Sequence, residues 1–217
     1  MIQLSNINKI YRSFPKQVTA LKNIDLYINR GKFIVIRGPS GSGKTTLLLT
    51  IGTMLHPSSG FVKIENTDIY RFNELERTKF RATNIGFVFQ EFYLIPYLNV
   101  LENIMLPAGL GKDGTKQHKA EELTDKLGLT DRMLHKPSEL SAGEQQRIAL
   151  ARALIHQPKI ILADEPTGNL DPENSSIVIN ILNNFHQSGG TVIIATHGKD
   201  ADLYADRIFS LNKGEIT

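Results

Sequence analysis

Two hydrophobic patterns follow one another along the chain. Close to its start, apolar and polar residues alternate singly, most clearly over residues 24–28 and again over residues 61–64, which predicts strands with one buried face. Later apolar runs are continuous and bounded by turn residues, a pattern typical of strands buried on both faces of a parallel sheet. These runs are residues 33–36, 85–89, 160–163 and 191–196.

Helices are predicted between these strands. Ser141 with Glu144 three residues later has the spacing of a capping box, and Asp171 followed by Pro172 is typical of an N-cap with proline at the first helical position. A final run at residues 208–211 with Gly214 behind it predicts a closing hairpin. The predicted helices begin after residue 45, with Leu47, Leu48, Ile51 and Leu55 at helical spacing, and cover residues 75–81, about 119–127, 142–155 and 172–188.

This order of elements predicts an α/β fold. We expect a mainly parallel sheet, an N-terminal antiparallel β-subdomain and an inserted helical subdomain within one domain of residues 1–217. The core and antiparallel sheet would comprise residues 1–90 and 156–217, and the helical part about 91–155. Residues 91–98 are unusually apolar and aromatic for a place where a strand stops, so they either pack an ordinary helical insert or form a docking surface.

Composition narrows the class of protein. The chain has 41% hydrophobic and 22% charged residues, which is ordinary for a globular protein. Its 25 basic and 22 acidic residues give a net charge of only +3 without a long single-sign run, so no nucleic-acid partner is expected. The locally basic stretch from Lys112 to Lys119 contains Asp113 and is predicted to be a solvated loop.

The absence of cysteine and the lengths of the apolar runs indicate the cellular compartment to expect. The absence of cysteine excludes disulfides and thiol chemistry and is compatible with a reducing cytosol. The first residues lack the features of a signal peptide, and no run approaches the roughly 18 apolar residues of a membrane span. If the protein acts at a membrane, we expect a partner protein to connect it to that membrane.

The first candidate for chemistry is a glycine-rich segment between a predicted strand and a predicted helix. Its spacing, G-x4-G-K-[ST], predicts a loop whose N–H groups surround a polyphosphate at a helix N-terminus. Lys44 would neutralise the outer phosphates, and the hydroxyl of Thr45 would bind Mg²⁺. A nucleoside triphosphate site is therefore predicted, with these residues at the ligand: Gly38, Pro39, Ser40, Gly41, Ser42, Gly43, Lys44, Thr45 and Thr46.

Further candidates lie where predicted strands end. Asp164 and Glu165 follow a continuous apolar run, and ligands of parallel sheets bind beyond the carboxyl ends of the strands. Beside a phosphate-binding loop, the first acid would hold Mg²⁺ and the second would activate the attacking water. His197 ends the last core strand and is a candidate for contacting the γ-phosphate or its nucleophile.

Several residues keep two interpretations. Ser141 and Gly143 could form only a helix cap or could make a second anion site at a helix N-terminus. Asp171 could be functional or only an N-cap. Tyr11, placed in the first loop, could be a core residue or could stack on an adenine ring.

Taken together, these segments resemble the ATP-binding subunit of an ABC transporter along essentially the whole chain. The likeness is greatest to the branch that serves lipoprotein release, macrolide-type export and cell-division complexes. The segments that carry it are residues 38–45, 87–90 (FVFQ), 140–154, 162–171 and the pair Thr196-His197.

The resemblance implies a role for each undecided residue. Tyr11 matches the aromatic that stacks on adenine. Gln90 matches the glutamine that touches Mg²⁺ and the water while reporting to the membrane subunit. Glu165 and His197 match the hydrolytic pair, and Asp171 matches the loop that links two ATP sites.

The resemblance also implies an assembly. Ser141 and Gly143 match the signature that closes over the ATP held by a partner subunit, so the working unit would be a head-to-tail homodimer around two ATP molecules. Integral membrane subunits would dock in a groove near Phe92 to Tyr97, which would place the protein peripherally on the cytoplasmic face of the inner or plasma membrane. One residue departs from the pattern, because Ala142 stands where glycine is usual. If Ala142 is the first helical residue after the Ser141 cap, its methyl group is well tolerated, whereas a left-handed backbone would make it costly.

The expected activity is hydrolysis of MgATP coupled to a membrane partner. The main alternative is an ATPase that signals across a membrane in a complex of the cell-division type. A DNA-repair or translation ATPase of this family would carry a coiled-coil insert or a second cassette, and a small-molecule kinase would not need the signature at Ser141. Guanine recognition is not expected, since residues 212–215 (NKGE) lack the Asn-Lys-x-Asp motif.

Overall fold

The computed structural model describes residues 1–13, 16–109 and 114–217, which form two sheets with helices around them. The first sheet is antiparallel and has the order β2-β1-β4-β5; its strands are β1 (Ile2–Ser13), β2 (Lys16–Ile28), β4 (Ser59–Ile64) and β5 (Thr67–Asp68). The second sheet contains β3 (Phe33–Arg37), β6 (Ile85–Val88), β7 (Ile160–Asp164), β8 (Thr191–Thr196), β9 (Arg207–Asn212) and β10 (Glu215–Ile216).

The second sheet has the order β10-β9-β3-β8-β7-β6. All its pairings are parallel except that of β10 with β9, which forms the predicted closing hairpin. The helices are α1 (Lys44–Ile51), α2 (Glu74–Asn84), α3 (Val100–Met105), α4 (Gly114–Lys126), α5 (Ala142–Leu154) and α6 (Pro172–Gln187). The predicted fold class is confirmed.

The continuous apolar runs are explained by burial on both faces of the parallel sheet. On one face, Val35 of β3 and Ile161 of β7 pack against Val178 and Leu182 of α6. On the other face, residues such as Ile34, Leu162 and Ile193 pack against α1 and the antiparallel sheet. Alternate residues of one strand therefore enter different cores, and neither set can be polar.

A third apolar cluster joins α3, α4 and α5. Ile104, Ala120 and Ile148 contribute one residue from each of these helices. Leu150 of α5 belongs instead to the cluster beneath the parallel sheet. Helix α5 therefore contacts both the helical layer and the core.

Three local predictions are wrong. Tyr11 does not lie in a loop, because β1 and β2 continue as a long hairpin in which Tyr11 pairs with Val18. Residues 114–119 of the predicted basic loop are helical, and α4 gains side-chain pairs four residues apart, such as Gln117 with Glu121; Lys112 and Asp113 lie outside the described residues. Leu55 lies beyond α1, which ends at Ile51.

Throughout the described ranges, every helix is too short or too polar to cross a bilayer.

Candidate active site

The glycine-rich loop connects β3 to α1, and two glycines determine its path. A Cβ atom on Gly38 would lie 2.1 Å from the carbonyl oxygen of Leu211. Gly43 has a φ of +106°, and a Cβ atom there would lie 2.3 Å from the carbonyl oxygen of Ala20. The loop therefore passes too close to the backbones of β9 and β2 for any side chain at these positions.

Lys44 is held inside this loop. Its Nζ donates to the carbonyl oxygens of Gly38 at 2.8 Å and Pro39 at 3.3 Å, and its side chain is only 8% exposed. A buried ammonium group beside a glycine-rich loop at a helix N-terminus is suited to bind an anion.

The loop borders a cavity of about 620 Å³ at the carboxyl ends of β3, β6, β7 and β8. Parallel strands bring residues that are distant in the sequence to this edge of the sheet. The lining residues include most of the predicted site: Ser40, Gly41, Ser42, Gly43, Lys44, Thr45, Thr46, Gln90, Asp164, Glu165 and His197.

Glu165 lies in the cavity with both carboxylate oxygens in contact with neighbouring groups. Its Oε2 accepts hydrogen bonds from the hydroxyl of Thr196 at 3.0 Å and the backbone N–H of His197 at 3.3 Å. The Nδ1 atom of His197 lies 2.9 Å from the same oxygen, and Lys44 Nζ lies 3.4 Å from Oε1. The two carboxylate oxygens thus face different partners, and the side chain has one orientation.

These contacts determine the protonation state of Glu165. Burial raises the pKa of its carboxyl group, but the hydrogen bonds from His197 and Thr196 and the nearby His197 charge outweigh burial and bring the pKa below its ordinary value of 4.5. Glu165 is therefore ionised at neutral pH, the form that a general base requires.

Asp164 has the opposite environment. Burial raises the pKa of its carboxyl group, the Glu165 charge raises it further, and a hydrogen bond from Thr45 and the charge of Lys44 partly offset this. Its Oδ1 is buried without a hydrogen-bond partner. An unsatisfied carboxylate oxygen beside a hydroxyl is a suitable partial ligand set for Mg²⁺, which usually takes one or two carboxylates and completes its shell with water and phosphate oxygens. Among the described residues, no group of three or more His, Asp or Glu side chains is placed to hold a metal ion.

Tyr11 lies beside the end of the loop. Its hydroxyl is 3.4 Å from that of Thr46, and 41% of the residue is exposed. Of the two interpretations of Tyr11, burial in the core is excluded. The Nζ atom of Lys9 lies 5.3 Å from the centroid of this half-exposed ring.

The remaining predicted residues lie at two helix N-termini away from this cavity. Ser141 caps α5: its Oγ accepts from the N–H of Glu144 at 3.3 Å, and Glu144 Oε2 accepts from the N–H of Ser141 at 2.8 Å. Asp171 caps α6 by accepting from the N–H of Asn174 at 2.9 Å. Among the described residues that line the 620 Å³ cavity, neither these caps nor Gly143 is present. Ala142 is the first residue of α5 and has no positive φ. Within its own subunit, the backbone therefore tolerates the methyl group well.

Sequence reasoning missed several residues that hold this arrangement together. Gln146 is 1% exposed and donates from Nε2 to the carbonyl oxygen of Pro166 at 2.8 Å, next to Glu165. Arg152, at the end of α5, donates to the carbonyl oxygens of Phe92 and Tyr93, both at 2.6 Å. Gln146 and Arg152 lie in the segment 140–154 that carries the resemblance, but no local pattern predicts which backbone groups their side chains bind.

A second cavity, of about 610 Å³, lies near the opposite ends of β7 and β8. Met1, Lys159 and Thr191 are among its lining residues. It is at the amino ends of the strands, and its lining includes neither the glycine-rich loop nor the paired carboxylates.

Comparison with known proteins agrees with this geometry. The ABC transporter family model matches residues 21–168. The lipoprotein-releasing system ATP-binding protein LolD of Bacteroides thetaiotaomicron is 44% identical over the whole chain and 99% of its own length. The macrolide export ATP-binding/permease protein MacB of Bdellovibrio bacteriovorus is 43% identical, but the chain covers only 33% of that longer protein.

A solved structure supports the same relationship. The dimeric, post-hydrolysis ATP-binding cassette MJ0796, bound to ADP and Pi, is 40% identical and superimposes with a TM-score of 0.93 over all of this chain and 96% of that one. A glycine-rich loop facing paired carboxylates, the family match over most of the chain and these full-length relatives lead to one conclusion. The chain belongs to the ABC transporter family, as one of its ATP-binding proteins.

Proposed function

We propose that this protein is the ATP-hydrolysing subunit of a membrane ABC transporter of the export or lipoprotein-release type. The observation that carries the proposal is the ionised, singly oriented carboxylate of Glu165 facing Lys44 across the loop cavity. The names of the relatives LolD and MacB support the type of transporter. A role in signalling of the cell-division type has no support from those names, and we do not adopt it.

In the proposed reaction the triphosphate lies along the loop, with Lys44 turned from the Gly38 and Pro39 carbonyl groups toward the outer phosphates. Glu165 orients a water molecule and accepts its proton as the water oxygen bonds to the γ-phosphorus and the bond to the bridging oxygen of ADP breaks. His197 and Thr196 keep the carboxylate aimed during this step.

Mg²⁺ would be held by Thr45, Asp164 and Gln90, where it would supply positive charge to the phosphate oxygens. The unpartnered Oδ1 of Asp164 and its contact with Thr45 support this assignment. Tyr11 would stack on the adenine ring with its exposed face.

Each active site would be completed by a second copy of the chain. Ser141 and Gly143 lie away from the cavity of their own subunit, so in a head-to-tail dimer they are free to cover the ATP held by the partner, with Asp171 between the two sites. Dimeric relatives support this arrangement. ATP binding would close the dimer, and hydrolysis would open it.

Motion would pass to a membrane subunit through the segment after Gln90. Tyr93 and Tyr97 are 62% and 73% exposed there, and exposed aromatic residues are typical of docking surfaces. We propose that residues of about 91–155 form the helical subdomain that carries this surface, while residues 1–90 and 156–217 form the nucleotide-binding part. Such a partner would place the protein on the cytoplasmic face of the inner or plasma membrane.

Substitution of Glu165 by Gln tests the proposed reaction. Glu165→Gln keeps the shape of the side chain but removes the base, so ATP binding should persist while turnover falls by about 100-fold or more. The measurement is steady-state ATPase activity alongside ATP affinity. Glu74→Gln, an exposed glutamate on α2, is the matched control and should behave as wild type. Hydrolysis by Glu165→Gln at the normal rate would show that Glu165 is not the base.

A further inference from the structure

The side chain of Asn174 joins two elements that sequence reasoning treated separately. This residue lies in the first turn of α6. Its Oδ1 accepts a hydrogen bond from Arg147 Nη1 of α5 at 3.0 Å, and its Nδ2 donates to Asp171 Oδ2 at 2.7 Å. The backbone N–H of Asn174 also donates to Asp171 Oδ1 at 2.9 Å. One carboxamide therefore connects the α5 helix with the loop that ends at Asp171.

Gly143 packs directly against this carboxamide. A Cβ atom at position 143 would lie 2.0 Å from Asn174 Oδ1 and 2.3 Å from its Cγ, so the Asn174 side chain would have to move from its hydrogen-bonded position. Gly143 is buried, whereas Ala142 before it is exposed. Glycine at position 143 therefore lets the start of α5 pack directly on the Asn174 side chain within one subunit.

The bonds of Asn174 also act on the charge of Asp171. The backbone and side-chain hydrogen bonds from Asn174 hold the pKa of the Asp171 carboxyl group below its ordinary value, so Asp171 is ionised at neutral pH. Replacing the Nδ2 donor by an oxygen would turn this contact from attraction into repulsion.

We propose that Asn174 is a positioning residue that fixes the turn from Ser141 to Gly143 relative to the Asp171 loop, so that both are presented to the partner subunit as one rigid surface. The inference rests on the proposed function, because it concerns the closure of two subunits around ATP. Asn174 touches neither the phosphate-binding loop nor Glu165 through any described hydrogen bond, so it acts on dimer closure and leaves ATP binding by one subunit unchanged.

The substitution Asn174→Asp separates positioning from packing. It preserves the size of the side chain beside Gly143 and the acceptor for Arg147, but it faces Asp171 with a second carboxylate. An acid in the first turn of a helix also favours the fold through the helix dipole. If Asn174 only fills space, Asn174→Asp behaves as the parent protein; if it positions Asp171, dimer closure weakens while the fold stays stable.

The test measures ATP-dependent dimerisation by sedimentation in the Glu165→Gln background with MgATP. We expect Asn174→Asp and Asn174→Ala to raise the dimer dissociation constant about tenfold or more, because each loses the donor to a charged oxygen. ATP affinity of the monomer and the thermal unfolding midpoint of Asn174→Asp should match the parent. Asn184→Ala, an exposed asparagine on the same helix, is the control and should dimerise as the parent does.

In the wild-type background, Asn174→Asp should lower kcat while the KM for ATP stays the same. Dimerisation of Asn174→Asp equal to that of the parent would overturn the proposal and leave Asn174 as a packing residue. A parent that stays monomeric with MgATP would contradict the proposed function itself, and this inference with it.

Discussion

Glu165 combines backbone strain with firm side-chain contacts. Its φ is +44°, a left-handed conformation that costs a non-glycine residue on the order of 1 kcal/mol or more. Thr196, His197 and Lys44 hold the carboxylate on both oxygens. A strained backbone that is maintained by such contacts is typical of a functional position. The residue could relax to an ordinary backbone conformation if the orientation of its side chain did not matter.

At position 142 we predict that alanine is neutral for function. Ala142 is exposed and is the first helical residue of α5, so its methyl group needs no special backbone. Ala142→Gly should lower the free energy of unfolding by less than about 1 kcal/mol and leave kcat within about twofold of wild type. Urea unfolding and steady-state ATPase assays measure the two effects. A tenfold or greater rise in activity would contradict this, because it would show that the methyl group obstructs the partner.

Among the secondary-structure elements, helix α5 connects the proposed ATP-covering turn, the site at Glu165 and the proposed docking segment. Its first turn is capped by Ser141 and packs on Asn174. Further along the helix, Gln146 donates to the backbone next to Glu165. Near its end, Arg152 donates to the backbone of the segment after Gln90. Because an α-helix is stiff over this length, displacement of one end is transmitted to the other.

The cap of α5 gives a prediction about its stability. Glu144 accepts from the Ser141 N–H at 2.8 Å and from Arg132 Nε at 3.1 Å; burial raises the pKa of Glu144, but these contacts outweigh it, and the pKa lies below its ordinary value. Glu144→Ala should lower the free energy of unfolding by about 1–2 kcal/mol, and Glu144→Gln, which keeps the acceptor, by less than about 1 kcal/mol. Urea unfolding at neutral pH measures both. Equal stability of Glu144→Ala and wild type would show that the capping box is not formed in solution.

For the whole molecule, the sequence predicted the elements better than their contacts. Alternation and continuous runs predicted strands at residues 24–28, 61–64 and 160–163, because burial on one or two faces leaves a local pattern. Motif spacing brought Lys44, Glu165 and His197 together, because parallel strands share one carboxyl edge. The sheet order, the long hairpin that contains Tyr11 and the carboxamide contacts of Asn174 depend on how distant segments pack, and no local pattern encodes them.

Assembly of the parallel sheet should depend on pH through Asp206. Its Oδ2 accepts from the Phe33 N–H at 2.7 Å and its Oδ1 from Lys32 Nζ at 2.8 Å, which ties the start of β9 to β3; His186 Nε2 lies 3.8 Å from Oδ2. Burial raises the pKa of Asp206, but these contacts outweigh it, so the folded pKa lies below the ordinary 3.8. The stabilisation is therefore complete above pH 3.8 and is lost as the pH falls through the folded pKa.

We predict that Asp206→Asn lowers the free energy of unfolding by about 1–2 kcal/mol at pH 7, and that the difference from wild type shrinks as the pH falls below about 3.8. Urea unfolding of both proteins across this pH range measures the difference. Asp131→Asn, which changes an exposed aspartate, is the control and should match wild type at pH 7. A difference that stays constant or grows as the pH falls would contradict the assignment to Asp206.

The central claim is that two copies of this chain close around ATP, each covering the other's site. The most direct measurement is the molar mass of Glu165→Gln in solution with and without saturating MgATP, since this variant should hold ATP without consuming it. We predict one chain of 24.2 kDa without nucleotide and twice that mass with MgATP. A protein that remains at the mass of one chain with MgATP, even when its membrane partner is supplied, would contradict the claim.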